Sequence, residues 1–433
     1  MANKKSNILP IVVMYLLFFM IAFVTNLCNP MAVIVKNNFA MSNFAAQLGN
    51  AANFIAYAAM GIPAGMLLKK IGYRKTALVA ILVGFVGVFL QYMSGWAAIQ
   101  SFWVYLAGAF TAGFCMCMLN TVVNPMLNTL GGGGNKGNQL VQFGGVCNSL
   151  AAVLVTIIMG SLIADATKAQ IADATPALMI ALGVFAFAFI VLLLVKIPEP
   201  SLESEKVNVE NEKKYSAFSF RHFNLGILAI FLYMGVEVGV PTYVMQYLTT
   251  SPEAATPGLG INAGIVGMIV AVYWLLMLIG RLLGGMIGGK VSSRAQITGV
   301  SIFCLVLVLL GMFLPVDVMV KMPGIDWATL TVMTAQVPVG VFALILVGLC
   351  TSVMWGGIFN MAVEGLGKYT SIASGAFMTM VCGGGVLIPL QGKLADVFGN
   401  FQMSYIVVLV CTAYILFYAL VGSKNVNKNI PTE

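Results

Sequence analysis

The sequence predicts an all-α membrane protein with twelve transmembrane helices in two pseudo-symmetric six-helix bundles. Three observations predict it. Twelve apolar stretches are each long enough to cross a bilayer, since a hydrocarbon core of roughly 30 Å needs about 20 residues of helix. They fall into two sixes on either side of one charged linker. Hydrophobic residues make up 60% of the 433, charged residues only 8%, and the mean hydropathy is +0.97, values outside the range of a soluble domain. Backbone groups in lipid must be satisfied within the segment, which leaves a helical bundle as the architecture.

The first span, Ile8–Val35, follows Lys4 and Lys5 as a signal peptide would. It is longer than a signal's apolar core and no small-x-small cleavage site follows, so it is expected to stay. Phe44–Leu68 and Thr76–Tyr92 flank a basic turn, and Ser101–Val123 leads into Asn124-Pro125. Gln139–Ala164 follows the run Gly131–Gly134, and Pro176–Val195 closes the first six. The second six are Asn224–Leu248, Ile261–Leu283, Ile297–Leu314, Val337–Asn360, Ile372–Leu390 and Met403–Leu420. Between the sixes, 196–221 carries Glu199, Glu203, Glu205, Glu210 and Glu212 among lysines and prolines. The expected division is thus a bundle over 1–195, a cytoplasmic linker over 196–221 and a bundle over 222–433.

Orientation follows from the basic residues. With both termini cytoplasmic, all of the 22 except Lys36, Lys168, Lys321 and Lys393 fall on the inner side, as the positive-inside rule requires. Arg281 is counted among the inner-side residues. The net charge of +8 is spread over loops that meet anionic lipid, which argues against a nucleic-acid partner. The eight cysteines lie in or beside apolar spans without metal-type spacing to a histidine, so they read as small packing residues and no metal or other cofactor is expected. His222, the single histidine, reads as interfacial.

The halves echo each other. Lys70-Ile71-Gly72-Tyr73-Arg74 after the second span matches Lys290-Val291-Ser292-Ser293-Arg294 after the eighth, the internal symmetry of transporters with parallel repeats, whose ligand site lies between the halves near the midplane. Many of the 46 glycines lie within spans, where small residues permit close helix packing and rocking alike. The run Gly131–Gly137 lacks the G-K-[ST] ending of a phosphate loop and follows a membrane helix rather than a strand, so a flexible turn is expected there and no ATP-driven pump.

Polar side chains within spans are costly, so they face the bundle interior and bond a neighbouring helix or a ligand. Here they are mostly amides. Asn26 and Asn29 share a face, as do Asn120 and Asn124; Gln142, Asn148, Tyr233, Glu237, Trp355 and Asn360 complete the set. Amides offer donors and acceptors to hydroxyls, and indole or phenol faces suit the apolar side of a sugar ring, so these ten residues predict a site for a neutral polyol or sugar. Asn124 is also placed to serve carbonyls freed by Pro125. Of 14 acidic residues, Glu237 alone sits mid-span. With no Lys or Arg expected at its depth, it is expected to take a proton or to accept bonds from sugar hydroxyls.

These residues resemble the fucose–galactose–hexose transporters of the major facilitator superfamily, over nearly the whole chain. The resemblance rests on Gly61-Ile62-Pro63-Ala64-Gly65-Met66-Leu67-Leu68-Lys69-Lys70 with Tyr73, on Asn120-Thr121-Val122-Val123-Asn124-Pro125 and on Asn148-Ser149. It also rests on Phe231-Leu232-Tyr233-Met234-Gly235-Val236-Glu237, on Gly280-Arg281, and on Gly383-Gly384-Gly385 with Asp396. It implies two bundles rocking around a central sugar site in a monomer, a proton-coupling carboxylate on the first helix and an essential glutamate on the fourth. Asn29 and Asn120 stand at those two positions, and Gly145 stands where the resemblance implies a glutamine. Asparagine cannot titrate, so coupling through Glu237 to a proton or sodium ion, or uniport, is expected instead.

The sequence therefore predicts a carrier for a monosaccharide, a hexose, in a bacterial inner membrane, and no enzyme. Two other readings are weaker. An efflux carrier for amphipathic compounds needs a larger, aromatic, weakly polar cavity, and a transport-dead sugar sensor needs a signalling domain.

Overall fold

In a computed structural model of the chain, residues 8–39, 48–162, 170–199, 215–261, 263–326, 331–427 and 429–432 are described. Lys4, Lys5, Phe44, Ala164, Lys168, Lys206, Lys213, Lys214, Lys428 and the linker's Glu203, Glu205, Glu210 and Glu212 lie outside the described residues.

The first half contains α1 (Ile8–Asn38), α2 (Leu48–Met93), α3 (Phe102–Leu130), α4 (Gly134–Leu162) and α5 (Thr175–Leu194). The second contains α6 (Arg221–Thr249), α7 (Ala263–Gly288), α8 (Ser293–Phe313), the strands β1 (Met319–Asp326) and β2 (Thr331–Pro338), and α9 (Val339–Thr351). It continues with α10 (Met354–Val363), α11 (Thr370–Thr379), α12 (Gly383–Phe398), α13 (Phe401–Ser404) and α14 (Ile406–Phe417). Ten helical segments among the described residues are long and apolar enough to cross a membrane. One of them, α2, has 46 residues and breaks at Gly72, whose φ of 83° no other residue type adopts comfortably. It therefore covers the second and third predicted spans, and α4 covers the fifth, so among the described residues each of the twelve apolar runs falls on helix.

The break at Gly72 shows how each half closes on itself. The carboxylate of Glu199, at the start of the linker, accepts from the backbone N–H groups of Tyr73 (2.6 Å) and Arg74 (3.0 Å). It thus satisfies two donors that a helix start leaves unpaired. Arg74 in turn donates from Nε to the carbonyl of Leu192 (2.9 Å) and from Nη2 to that of Leu193 (2.6 Å), at the end of α5. The echoed turn does the same in the second half. Ser292 caps the N–H of Ala295 at 3.3 Å, and Arg294 donates to the Ser423 hydroxyl, just beyond α14, at 3.2 Å. Each basic turn therefore ties its third helix to the sixth crossing of its own half, which gives the repeat read from the sequence a structural counterpart.

Some elements differ from expectation. An antiparallel hairpin, β1 with β2, precedes the tenth crossing, with Met319 opposite Pro338 and Asp326 opposite Thr331. The tenth crossing consequently starts at Val339 rather than Val337 and breaks between α9 and α10. The glycine turn is shorter than Gly131–Gly137, because α4 already begins at Gly134. His222, at the start of α6, is buried, with its Nε2 3.0 Å from the Glu364 carbonyl.

Candidate functional site

The halves meet most closely at the end of the bundle that carries the linker. There α2 packs on α11 and α12, α3 on α11, and α4 on α7 and α10. Glycine sets the α2–α11 crossing: a Cβ at Gly65 would stand 2.9 Å from the Ser371 carbonyl, and one at Gly375 would collide with the Gly61 carbonyl. Nearby, Asn128 on α3 donates to the Asn360 side-chain oxygen on α10 at 2.7 Å, and Asn360 donates to Ser293 on α8 at 2.8 Å.

Above this seal lies the break of the tenth crossing. The carbonyls of Thr351, Ser352 and Val353 flank the break, that of Val353 also accepting from the Gly357 N–H at 3.1 Å, and irregular backbone at membrane depth needs side-chain partners. Tyr233 donates to the Thr351 carbonyl (3.2 Å), Arg281 Nε to that of Ser352 (3.3 Å) and Gln142 to that of Val353 (3.0 Å). Gln142 belongs to the first half, so the break is also a joint between halves. A second irregularity sits beside it. Pro241 has no N–H to offer the Glu237 carbonyl four residues earlier, and Tyr273 donates to that carbonyl instead at 3.0 Å while sharing a hydrogen bond with the Thr351 hydroxyl at 3.1 Å.

Glu237 is paired, contrary to the expectation from sequence. Arg281 Nη2 lies 3.1 Å from its Oε1, with the two side chains 7% and 13% exposed. Arg281 was assigned to the inner-side basic residues, yet it is buried and faces Glu237 from α7. Its Nη1 also reaches the first half, at the Gly145 carbonyl (3.0 Å), Asn148 Oδ1 (3.1 Å) and Ser149 Oγ (2.9 Å). Burying a charge is costly unless it is paired and its remaining donors are satisfied, and this arrangement meets both conditions.

The amides form a row across the interface. Tyr57 Oη lies 3.1 Å from the Asn120 amide nitrogen, which donates to it. The Asn124 amide nitrogen donates to the Asn120 carbonyl (2.9 Å) and reaches its side-chain oxygen (3.4 Å), so it serves Asn120 rather than the carbonyl of Thr121 that Pro125 leaves free. Trp355 Nε1, on the second half, donates to Asn124 Oδ1 at 3.3 Å. The Trp355 ring meets Tyr233 edge-on, with centroids 6.1 Å apart.

Of the ten residues singled out from sequence, Asn120, Asn124, Tyr233 and Trp355 join in this row. Asn148 and Glu237 meet through Arg281, and Gln142 binds the helix break. Asn360 lies lower, in the seal. Asn26 turns its amide back to the Ala22 carbonyl of its own helix at 2.8 Å. Asn29 falls on α1, but its side chain lies outside the described residues. Arg281, Tyr57, Tyr273 and Thr351 were missed. Arg281 carried a signal, since it lies inside the eighth span as drawn from hydropathy; the other three are uncharged residues among many like them.

Two six-helix bundles around a row of polar side chains define a membrane transporter. Residues 14–389 match the family model described as Major Facilitator Superfamily, and the chain belongs to that superfamily. It is 26% identical over 429 residues to a protein of Brucella abortus biovar 1 named glucose/galactose transporter, covering 98% of this chain and 96% of that one. An L-fucose-proton symporter of Escherichia coli is 23% identical over 448 residues, covering 98% and 95%. The crystal structure of FucP, a transporter of this superfamily in the outward conformation, superposes with a TM-score of 0.78 at 21% identity, covering 97% of this chain and 100% of that one. These relatives are transporters, not enzymes.

Proposed function

We propose that the chain carries a monosaccharide, a hexose, across a bacterial inner membrane by alternating access. The two bundles over 1–195 and 222–433 rock about the site, 196–221 is the tether, and both termini are cytoplasmic. The observation that carries this reading is the row from Asn120 through Asn124 to Trp355 and Tyr233, which mixes amide donors and acceptors with aromatic faces across the boundary between halves. Hydroxyls need the first and the apolar face of a pyranose needs the second. The Brucella relative's name supports the substrate class.

The proposed transport mode is uniport. Asparagines stand where the resemblance implies titrating acids, and Glu237 faces the Arg281 guanidinium at 3.1 Å. A second reading, symport with a proton or sodium ion through Glu237, is favoured by the 13% exposure the Glu237 side chain retains and by the name of the Escherichia coli relative. Uptake of labelled glucose into proteoliposomes, under an inward proton gradient, an inward sodium gradient or neither, tests both. Uniport predicts equilibration alone under every condition. Accumulation above equilibrium with one gradient, lost in Glu237→Gln, establishes symport, and no flux of any hexose overturns the sugar reading.

A further inference from the structure

We propose that Arg281 is the positioning residue of this site, and the tie through which the site senses whether the linker end is closed. The five oxygens within its reach divide by side. Nε on the Ser352 carbonyl and Nη2 on Glu237 stay inside the second half. Nη1 faces the first half alone, on Gly145, Asn148 and Ser149. Any rocking that opens the linker end must part α4 from α7, which breaks every Nη1 contact and leaves the other two whole.

Closing restores them, and in doing so holds one candidate sugar ligand from each half, Asn148 and Glu237, on a single rigid plane. The planar fork of a guanidinium does this with fixed geometry, whereas an ammonium is a point charge with rotatable donors. The backbone makes room for it at one position: a Cβ on Gly145 would stand 3.0 Å from Arg281 Cδ and 3.3 Å from Nε. The site is therefore complete only with the linker end shut, so that sugar binding and gate closure favour one another. The sugar part of this inference rests on the carrier reading above; the gate part does not.

The test places spin labels at Lys136→Cys and Lys290→Cys, exposed positions at the linker ends of α4 and α7, in protein whose eight native cysteines are serine. Distances are read by pulsed EPR without sugar, and glucose affinity is measured on the same samples after a check for monodisperse elution. The parent is expected to give one short distance. Arg281→Lys, which keeps the charge and loses the fork, is expected to add a longer population. The neutral double variant Arg281→Gln with Glu237→Gln, which strands no charge, is expected to do the same. Affinity should fall about tenfold or more in both. An unchanged distance distribution in both variants overturns the proposal. A parent that binds no hexose overturns the carrier reading instead, and the distances still decide the role of Arg281.

Discussion

The indole Nε1 of Trp355 lies 3.3 Å from the side-chain oxygen of Asn124, a hydrogen bond between two residues on opposite halves of the carrier. The same Asn124 donates to Asn120, so one amide links a helix of the first bundle to the aromatic wall of the second. A sugar seated between the bundles would compete for or extend this bond.

Trp355→Phe keeps an aromatic face, smaller than the indole, and removes the N–H donor, whose hydrogen bond is worth about 0.5–1.5 kcal/mol. Hexose affinity is expected to fall a few-fold. Asn120→Ala with Asn124→Ala removes both amides and is expected to lower affinity by more than tenfold in folded protein. Tryptophan fluorescence titration or isothermal calorimetry reads both, and unchanged affinity in the double variant would remove these residues from the sugar site.

Arg281→Ala leaves Glu237 buried without its cation, which typically costs about 3–5 kcal/mol. The melting temperature in detergent is expected to drop sharply. Adding Glu237→Gln should recover much of the loss, because the stranded charge is gone. A double variant no more stable than the single one would mean that the pair matters for packing and not for charge.

Gly375→Val puts a side chain against the Gly61 carbonyl, where even a Cβ has no room. The α2–α11 crossing cannot then close. Uptake is expected to fall severely while the protein stays folded, and a reactive cysteine introduced in the seal, at Asn128 or Asn360, should become more accessible. Normal uptake would show that this crossing does not have to close during the cycle.

Glu199→Ala removes an acceptor from the N–H groups of Tyr73 and Arg74, and loss of such a cap costs about 0.5–2 kcal/mol. Gly72→Ala forces a side chain onto a residue with φ of 83° and into the Glu199 carboxylate. Both are expected to lower thermal stability, Gly72→Ala by more. Equal stability of all three proteins would place the linker's anchor elsewhere.

The crossings were legible because apolar length is a one-dimensional property: runs such as Thr175–Leu194 announce themselves. The kink at Gly72 was legible as a basic turn. The hairpin was not, because the strand Thr331–Pro338 is exposed on both faces over its first four residues and buried only where it meets the membrane span, so it lacks the alternation of a half-buried strand. Individual site residues were partly legible. Residues four apart, such as Tyr233 and Glu237, must share a helix face. Partners across the interface depend on how helices rotate about their axes, which a single chain does not encode locally. That is why Arg281 near the end of its span looked like one more loop cation, although it reaches Glu237 44 positions away and Ser149 132 positions away.

The Glu237–Arg281 pair also bears on how the cell's electrical field acts on this carrier. A net charge moved across a membrane exchanges about 2.3 kcal/mol with every 100 mV of potential. Opposite charges 3.1 Å apart sum to zero, and a hexose adds nothing, so a cycle in which the pair stays together gives the voltage no handle. Under the uniport proposed above, uptake of a neutral hexose is then expected to run at the same rate with and without a membrane potential.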